Sequence, residues 1–334
     1  MAEPASLPAR VLVTGGSGFI GTNMMQHWND KGVEAINFDI RPPQVEAHQS
    51  QWQQVDLLDR EALVTAAQSV RPDCIIHLAA RADLDGATLD DYRVNTDGIE
   101  NLIVAAKASG AARVLFASSQ LVCTPGYQPK NELDYCPPNP YGESKMRGEQ
   151  IVRAQAKDEF VWTLLRPTSI WGPWFEQPYR AFFLTVKRGR YVQARGVRVR
   201  KSFGFVGNTV RQMERLSVCP AEKIHQRALY VADYEPVIVS EWARQVQQEW
   251  GAPPIKEVPL GFLKICAKLG DLLKRMGMKS PPLTSYRLNN LLTESPQDME
   301  PLKQICGPMP FSVQEGTKIT VAWMRSQEAG GKQP

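Results

Sequence analysis

Between the apolar run Val11-Leu12-Val13 and an amphipathic stretch reaching about Asp30, the chain reads Thr14-Gly15-Gly16-Ser17-Gly18-Phe19-Ile20-Gly21. Four glycines in this short span suit a tight turn that another backbone or a ligand can approach closely. Set between a strand and a helix, such a turn is the first crossover of a parallel sheet. It can be parsed two ways, with Gly15, Gly18 and Gly21 or with Gly16, Gly18 and Gly21 as the defining residues. Either way the helix N-terminus lies over the turn, and its N–H groups and dipole favour a dinucleotide pyrophosphate. The next strand, Ala35 to Asp39, ends in an acid placed to accept from a ribose diol and repel a 2′-phosphate. That predicts NAD rather than NADP. Arg41 could stack on adenine or meet a phosphate.

The strand–helix alternation continues. Val55-Asp56-Leu57 reads as a third short strand, and Asp59 as the cap of a helix through Val70. Cys74 to Leu78 is a continuous apolar run, as in a strand covered on both faces. A helix over about 88–109 stops at Gly110, and Val114 to Ala117 forms the next strand. Asn139-Pro140 opens another helix with a capping residue and a first-turn proline, and Val161 to Leu165 closes the series. The expectation is an α/β chain with a Rossmann-like, doubly wound parallel sheet over 9–170. A smaller substrate lobe is expected over 171–326, with segments returning to the main sheet, and a flexible tail over 327–334. The chain's 334 residues, 43% of them hydrophobic, suffice for both parts.

A phenol and an ammonium stand four positions apart in Tyr141-Gly142-Glu143-Ser144-Lys145, on one face of a helix. A free phenol, with a pKa of about 10, is too weakly acidic to serve as a base at neutral pH. A neighbouring Lys145 and a positive nicotinamide ring would both favour the phenolate, making Tyr141 a general base and acid. Lys145 could also hold the nicotinamide ribose, and Ser119 is placed to hydrogen-bond the reacting oxygen. His27, His48, His77 and His225 lack metal-ligand spacing, so no metal site is expected. The six cysteines form no C-x-x-C pair, which suits a reducing compartment. The first residues carry neither a basic nor an apolar leader pattern, and no apolar run approaches a membrane span. A soluble, cytoplasmic protein is expected. The net charge of +4 is too small to argue for nucleic acid.

Thr14 to Gly21, Asp39, Asp56-Leu57, His77-Leu78-Ala79-Ala80, Asn95, Ser118-Ser119, Tyr141 to Lys145 and Arg166-Pro167 follow one another along the chain. In that series it resembles the extended short-chain dehydrogenase/reductases, in particular the NAD-dependent epimerases and dehydratases of nucleotide sugars typified by UDP-glucose 4-epimerase. The resemblance is dense over residues 10–175. It implies a cofactor site built from Gly15, Gly18, Phe19, Ile20, Gly21, Asp39, Leu78 and Ser118, together with Tyr141 and Lys145. It further implies that Asp56 and Leu57 flank the adenine, Ala79 and Ala80 line the cofactor channel, and Asn95 supports the active-site strand. Ser119 matches the catalytic serine. Dehydratases carry an acid pair after that serine, where this chain has Gln120-Leu121, and Asn208 replaces an acid usual further on.

Beyond Arg166-Pro167 the segment Lys187 to Lys201 is rich in bases and has no acid. Such a run is most simply a solvated face, but the resemblance places Arg200 and Lys201 where a nucleotide diphosphate would be clamped. Trp171 and Trp174 suit either a sugar platform or core packing. Phe262, Ile265, Cys266, Leu269, Leu272, Leu273 and Met276 form one helical stripe beside several bases. A core- or dimer-facing helix is expected there, with a membrane surface as the alternative. A homodimer is expected too, built on Ile99, Leu102, Ile103 and Ala106 of one helix and on Met146, Gln150 and Ile151 of another. The expected activity is NAD-dependent epimerisation of a nucleotide sugar, at C4. The alternatives are a dehydrogenase of a sterol or other secondary alcohol, a nucleotide-sugar dehydratase or reductase, and a dinucleotide-sensing regulator.

Overall fold

In the computed structural model residues 6–278 and 283–330 are described. The strands β1 (Arg10–Thr14), β2 (Glu34–Asp39), β3 (Trp52–Gln54), β4 (Cys74–His77), β5 (Arg113–Ala117) and β6 (Val161–Pro167) alternate with four helices: α1 (Phe19–Asp30), α2 (Arg60–Val70), α3 (Asp97–Ser109) and α4 (Pro140–Gln155). Next come β7 (Ser169–Trp171), α5 (Tyr179–Lys187), β8 (Val192–Ala194), β9 (Arg200–Lys201), β10 (Phe203–Phe205), α6 (Val206–Val218) and β11 (Arg227–Val231). The chain continues through β12 (Val237–Ile238), α7 (Val239–Trp250), β13 (Lys256–Val258), α8 (Leu260–Arg275), α9 (Ser285–Leu292), α10 (Glu300–Cys306) and α11 (Val313–Ala329). Seven strands form one sheet in the order β3-β2-β1-β4-β5-β6-β11, every pair parallel. This is the doubly wound arrangement, and its strand order reverses between β1 and β4. The buried core lies between the sheet and α2, α3 and α4, around Leu12, Phe38, Ile75, Leu102 and Phe116.

The chain divides into two compact units. One comprises residues 1–174, 204–234 and 298–310, and the other 175–203, 235–297 and 311–334. Local signals place the helices of the first. The Asp59 carboxylate caps α2 by accepting from Ala62 N–H at 3.0 Å, and Asn139 caps α4 by accepting from Gly142 N–H at 2.8 Å.

Four expectations are corrected. The third strand is Trp52–Gln54 rather than Val55 to Leu57; Val55 and Leu57 alternate because both enter the core from the turn beyond it. The helix expected over 88–109 is two pieces, a 3-10 segment Leu89–Asn95 and α3, with a non-helical Thr96 between them. Ile99, Leu102, Ile103 and Ala106 are buried within the chain itself and so present no dimer face, while Gln150 is exposed and Met146 and Ile151 half-buried. Finally, α11 runs to Ala329 and occupies the first residues of the expected tail; 331–334 lie outside the described residues.

Candidate active site

The cofactor-binding candidates converge on the C-terminal ends of β1, β2 and β4. Gly15 (φ 74°) donates its N–H to Phe38 O at 2.8 Å, and Leu78 N–H donates to Thr14 O at 3.0 Å. A Cβ on Gly15 would lie 2.5 Å from Ala79 N, and one on Gly21 would lie 2.1 Å from Gly15 O. These two glycines are therefore demanded by backbone packing. Gly18 differs: a Cβ there would meet only Gly15 O, at 3.2 Å, so the open side of the turn is at Gly18. Beyond it α1 begins with no side-chain cap and no acid in its first turn, and Phe19 and Ile20 are half-buried. An open glycine, an uncapped helix start and Ala79 and Ala80 at the rim fit a dinucleotide.

Asp39 is buried, with Oδ2 accepting from Ser17 N–H at 3.1 Å and Oδ1 from Arg41 N–H at 3.0 Å. Each oxygen retains acceptor capacity for a ribose hydroxyl. Val55 N–H donates to Asp39 O, bringing the next corner alongside. There Asp56 is exposed and caps Leu58 N–H at 2.9 Å, whereas the Leu57 side chain belongs to the core. NAD is expected to bind more tightly than NADP, and Asp39→Ala to narrow that gap by about tenfold, the equivalent of ~1.4 kcal/mol. Titrating both cofactors into both proteins checks this; an unchanged preference in the variant would remove Asp39 from the site.

The three catalytic candidates also meet. The Tyr141 phenol is buried and shares a hydrogen bond with the Ser119 side chain, which also accepts from Leu121 N–H at 3.1 Å. Lys145 is buried, and its Nζ donates to Ala117 O at 3.0 Å. Gly142 lets α4 start this close, since a Cβ there would lie 2.2 Å from Leu121 O. Burial is the largest influence on the phenol and pushes its pKa up; the Ser119 hydrogen bond opposes this and Tyr92 adds to it. The Lys145 ammonium is held on the β5 carbonyl. Burial brings Lys145 down to about 8, with Glu149 opposing. His77, whose Nδ1 lies 2.7 Å from Thr14 Oγ1, is brought down to about 3 by burial and then by the Lys145 charge. It stays neutral and positions the β1–β4 seam.

Asn95 ties the helix to the cofactor rim. Its Nδ2 donates to Ser144 Oγ at 2.9 Å and to Arg81 O at 3.0 Å, and its Oδ1 accepts from Arg81 N–H at 2.9 Å. Ser118 donates its hydroxyl to Glu149 Oε1 at 2.6 Å. Glu149 is a residue the sequence reading passed over, although its i+4 spacing from Lys145 puts it on the same helical face. Asp233 was also passed over. It is buried and raised to about 6 by that burial, with bonds from Asn208 and Phe205 opposing. Asn208 Nδ2 donates to Asp233 Oδ1 at 2.7 Å, which explains the departure at 208, because an acid there would set two carboxylates together.

Arg200 and Lys201 belong to the second unit, where exposed Arg200 pairs with Glu294 at 3.4 Å and half-buried Lys201 donates to Asn290 O at 2.6 Å. Trp171 is fully buried 5.3 Å from the Phe205 ring, the packing alternative of the two expected for it. Trp174 is half-buried with φ 70°.

A doubly wound sheet with an open glycine turn and a Ser–Tyr–Lys cluster defines a short-chain dehydrogenase/reductase-type enzyme. Residues 11–215 match the profile of the NAD dependent epimerase/dehydratase family, and the chain belongs to that family, whose cofactor is NAD. It is 29% identical over 306 residues to a 3 beta-hydroxysteroid dehydrogenase/Delta 5→4-isomerase of Mycobacterium tuberculosis, covering 83% of this chain and 82% of the relative. It is 26% identical over 290 residues to a UDP-glucose 4-epimerase of Vibrio cholerae, covering 81% and 86%. The solved UDP-glucose 4-epimerase of Thermus thermophilus in complex with NAD has the same fold, with a TM-score of 0.70, 22% identity and coverage of 95% and 99%. Among the described residues no helix is long and apolar enough to cross a membrane.

Proposed function

We propose that the protein is a nucleotide-sugar epimerase that oxidises one sugar hydroxyl, at C4, and returns the hydride to the opposite face of the resulting ketone. The observation that carries this reading is the single proton relay. Ser119, Tyr141 and Lys145 stand together, whereas the turn after Ser119 holds Gln120, within 3.5 Å of Ser169 Oγ, and Leu121, with no carboxyl. Removal and return of one hydride need one relay, while dehydration needs further acid–base groups. NAD, when bound, accepts and returns the hydride, and its oxidised ring supplies positive charge that favours a phenolate. Tyr141 Oη takes the proton of the sugar hydroxyl and later gives it back. Ser119 Oγ holds the reacting oxygen, and Lys145 Nζ, fixed on Ala117 O, keeps two N–H donors for a ribose. The UDP-glucose 4-epimerase relative supports the same reading.

Two observations favour a second reading, net oxidation of a sterol or other secondary alcohol. The bases assigned to a diphosphate are engaged within the chain, and the hydroxysteroid dehydrogenase likeness extends over 83% of it. Purified protein given UDP-, GDP- and dTDP-sugars in turn is expected to interconvert one isomeric pair by NMR without accumulating NADH. Stoichiometric NADH from a nucleotide-free secondary alcohol, with every sugar inert, would establish the second reading instead.

A further inference from the structure

Helix α8 does not bury its apolar stripe. Phe262, Ile265, Leu269, Leu272 and Met276 are between 53 and 75% exposed, and Leu273 is exposed as well. Their spacing of i, i+3, i+7, i+10 and i+14 keeps them on one face. The helix is held by another face, where Ala267 and Gly270 are buried and Leu263 lines a cavity with Leu288 of α9. Beside the apolar stripe, Lys264, Lys268 and Arg275 form an exposed basic flank. The only acid in α8, Asp271, is occupied as the acceptor of Ser285 N–H at 3.1 Å. Four bases against one acid leave α8 strongly positive. Tyr286 and Leu291 on α9, which packs against α8, are exposed too.

We propose that this face of α8 docks the protein on a lipid surface bearing anionic headgroups, with the apolar stripe entering the acyl boundary and the basic flank meeting the headgroups. An exposed apolar stripe with a cationic border is the pattern of a helix lying in the interface plane. Charge favours this occupant over a second copy, whose own basic flank would be brought against this one. The proposal does not depend on the catalytic reading, because binding is measured without turnover. Full-length protein is expected to sediment with phosphatidylcholine vesicles containing phosphatidylglycerol, weakly with phosphatidylcholine alone, and less as salt rises. Ile265→Glu with Leu269→Glu is expected to cut binding at least tenfold and leave the thermal midpoint unchanged. Each of Lys264→Gln, Lys268→Gln and Arg275→Gln is expected to weaken binding to the anionic vesicles by roughly fivefold. Absence of sedimentation with either vesicle, or variants that bind like the parent, would overturn the proposal. So would a dimer in lipid-free buffer that the double variant splits, since the face would then belong to a second copy.

Discussion

Tyr141→Phe is expected to lower turnover by about two to four orders of magnitude, the worth of a positioned acid/base group. NAD affinity and folding should change little. The substitution deletes one hydroxyl and keeps a ring buried 6.0 Å from the Tyr92 ring, so the packing of α4 against the segment before α3 survives. What is lost is the hydrogen bond to Ser119 and the phenol at the end of β5 that can exchange a proton with substrate. Burial pushes that phenol above its ordinary pKa, and a positive nicotinamide ring beside it would act in the opposite direction. Steady-state turnover and NAD titration on the same preparation check this, and undiminished turnover would remove Tyr141 from the mechanism.

Glu149→Ala is expected to cost about 3–5 kcal/mol, because it leaves a buried guanidinium without its partner. Glu149 Oε1 accepts from Arg166 Nε at 2.9 Å and Oε2 from Arg166 Nη2 at 2.7 Å, while Tyr135 Oη donates to Oε2 at 2.9 Å. The guanidinium lies between the rings of Tyr135 and Tyr230, 5.5 and 5.7 Å from their centroids, with almost no solvent. The thermal midpoint should fall by roughly 5 °C. Replacing both partners, Glu149→Leu with Arg166→Met, should recover most of the loss, since an apolar pair of similar volume removes the unpaired charge. A single variant within about 1 °C of the parent would show that the pair contributes little. The same network holds Ser118, next to the catalytic candidate Ser119, so its loss should loosen the β5 end as well.

The Asp59 and Asn139 caps and the Tyr141–Lys145 spacing were legible because each depends on neighbours within a turn or so. Elsewhere the decisive contacts are distant in sequence. Gly142 is needed because α4 starts against Leu121 O, and Asn208 because Asp233 approaches it from the far end of β11. Periodicity showed that α3 and α8 each carry an apolar stripe but not what covers it. On α3 the stripe lies in the core; on α8 small residues form the buried face and leave the large ones outside. The Tyr141–Lys145 spacing likewise put both side chains on one face without revealing that the lysine would be drawn to Ala117 O.

The central claim is that hydride leaves one sugar carbon and returns to it. The most direct test uses the nucleotide sugar that isomerises, deuterated at the carbon that inverts. The account predicts that the product keeps the deuterium at that carbon in inverted configuration, with no free NADH. Deuterium found stoichiometrically in released NADH, alongside a ketone product, would contradict it.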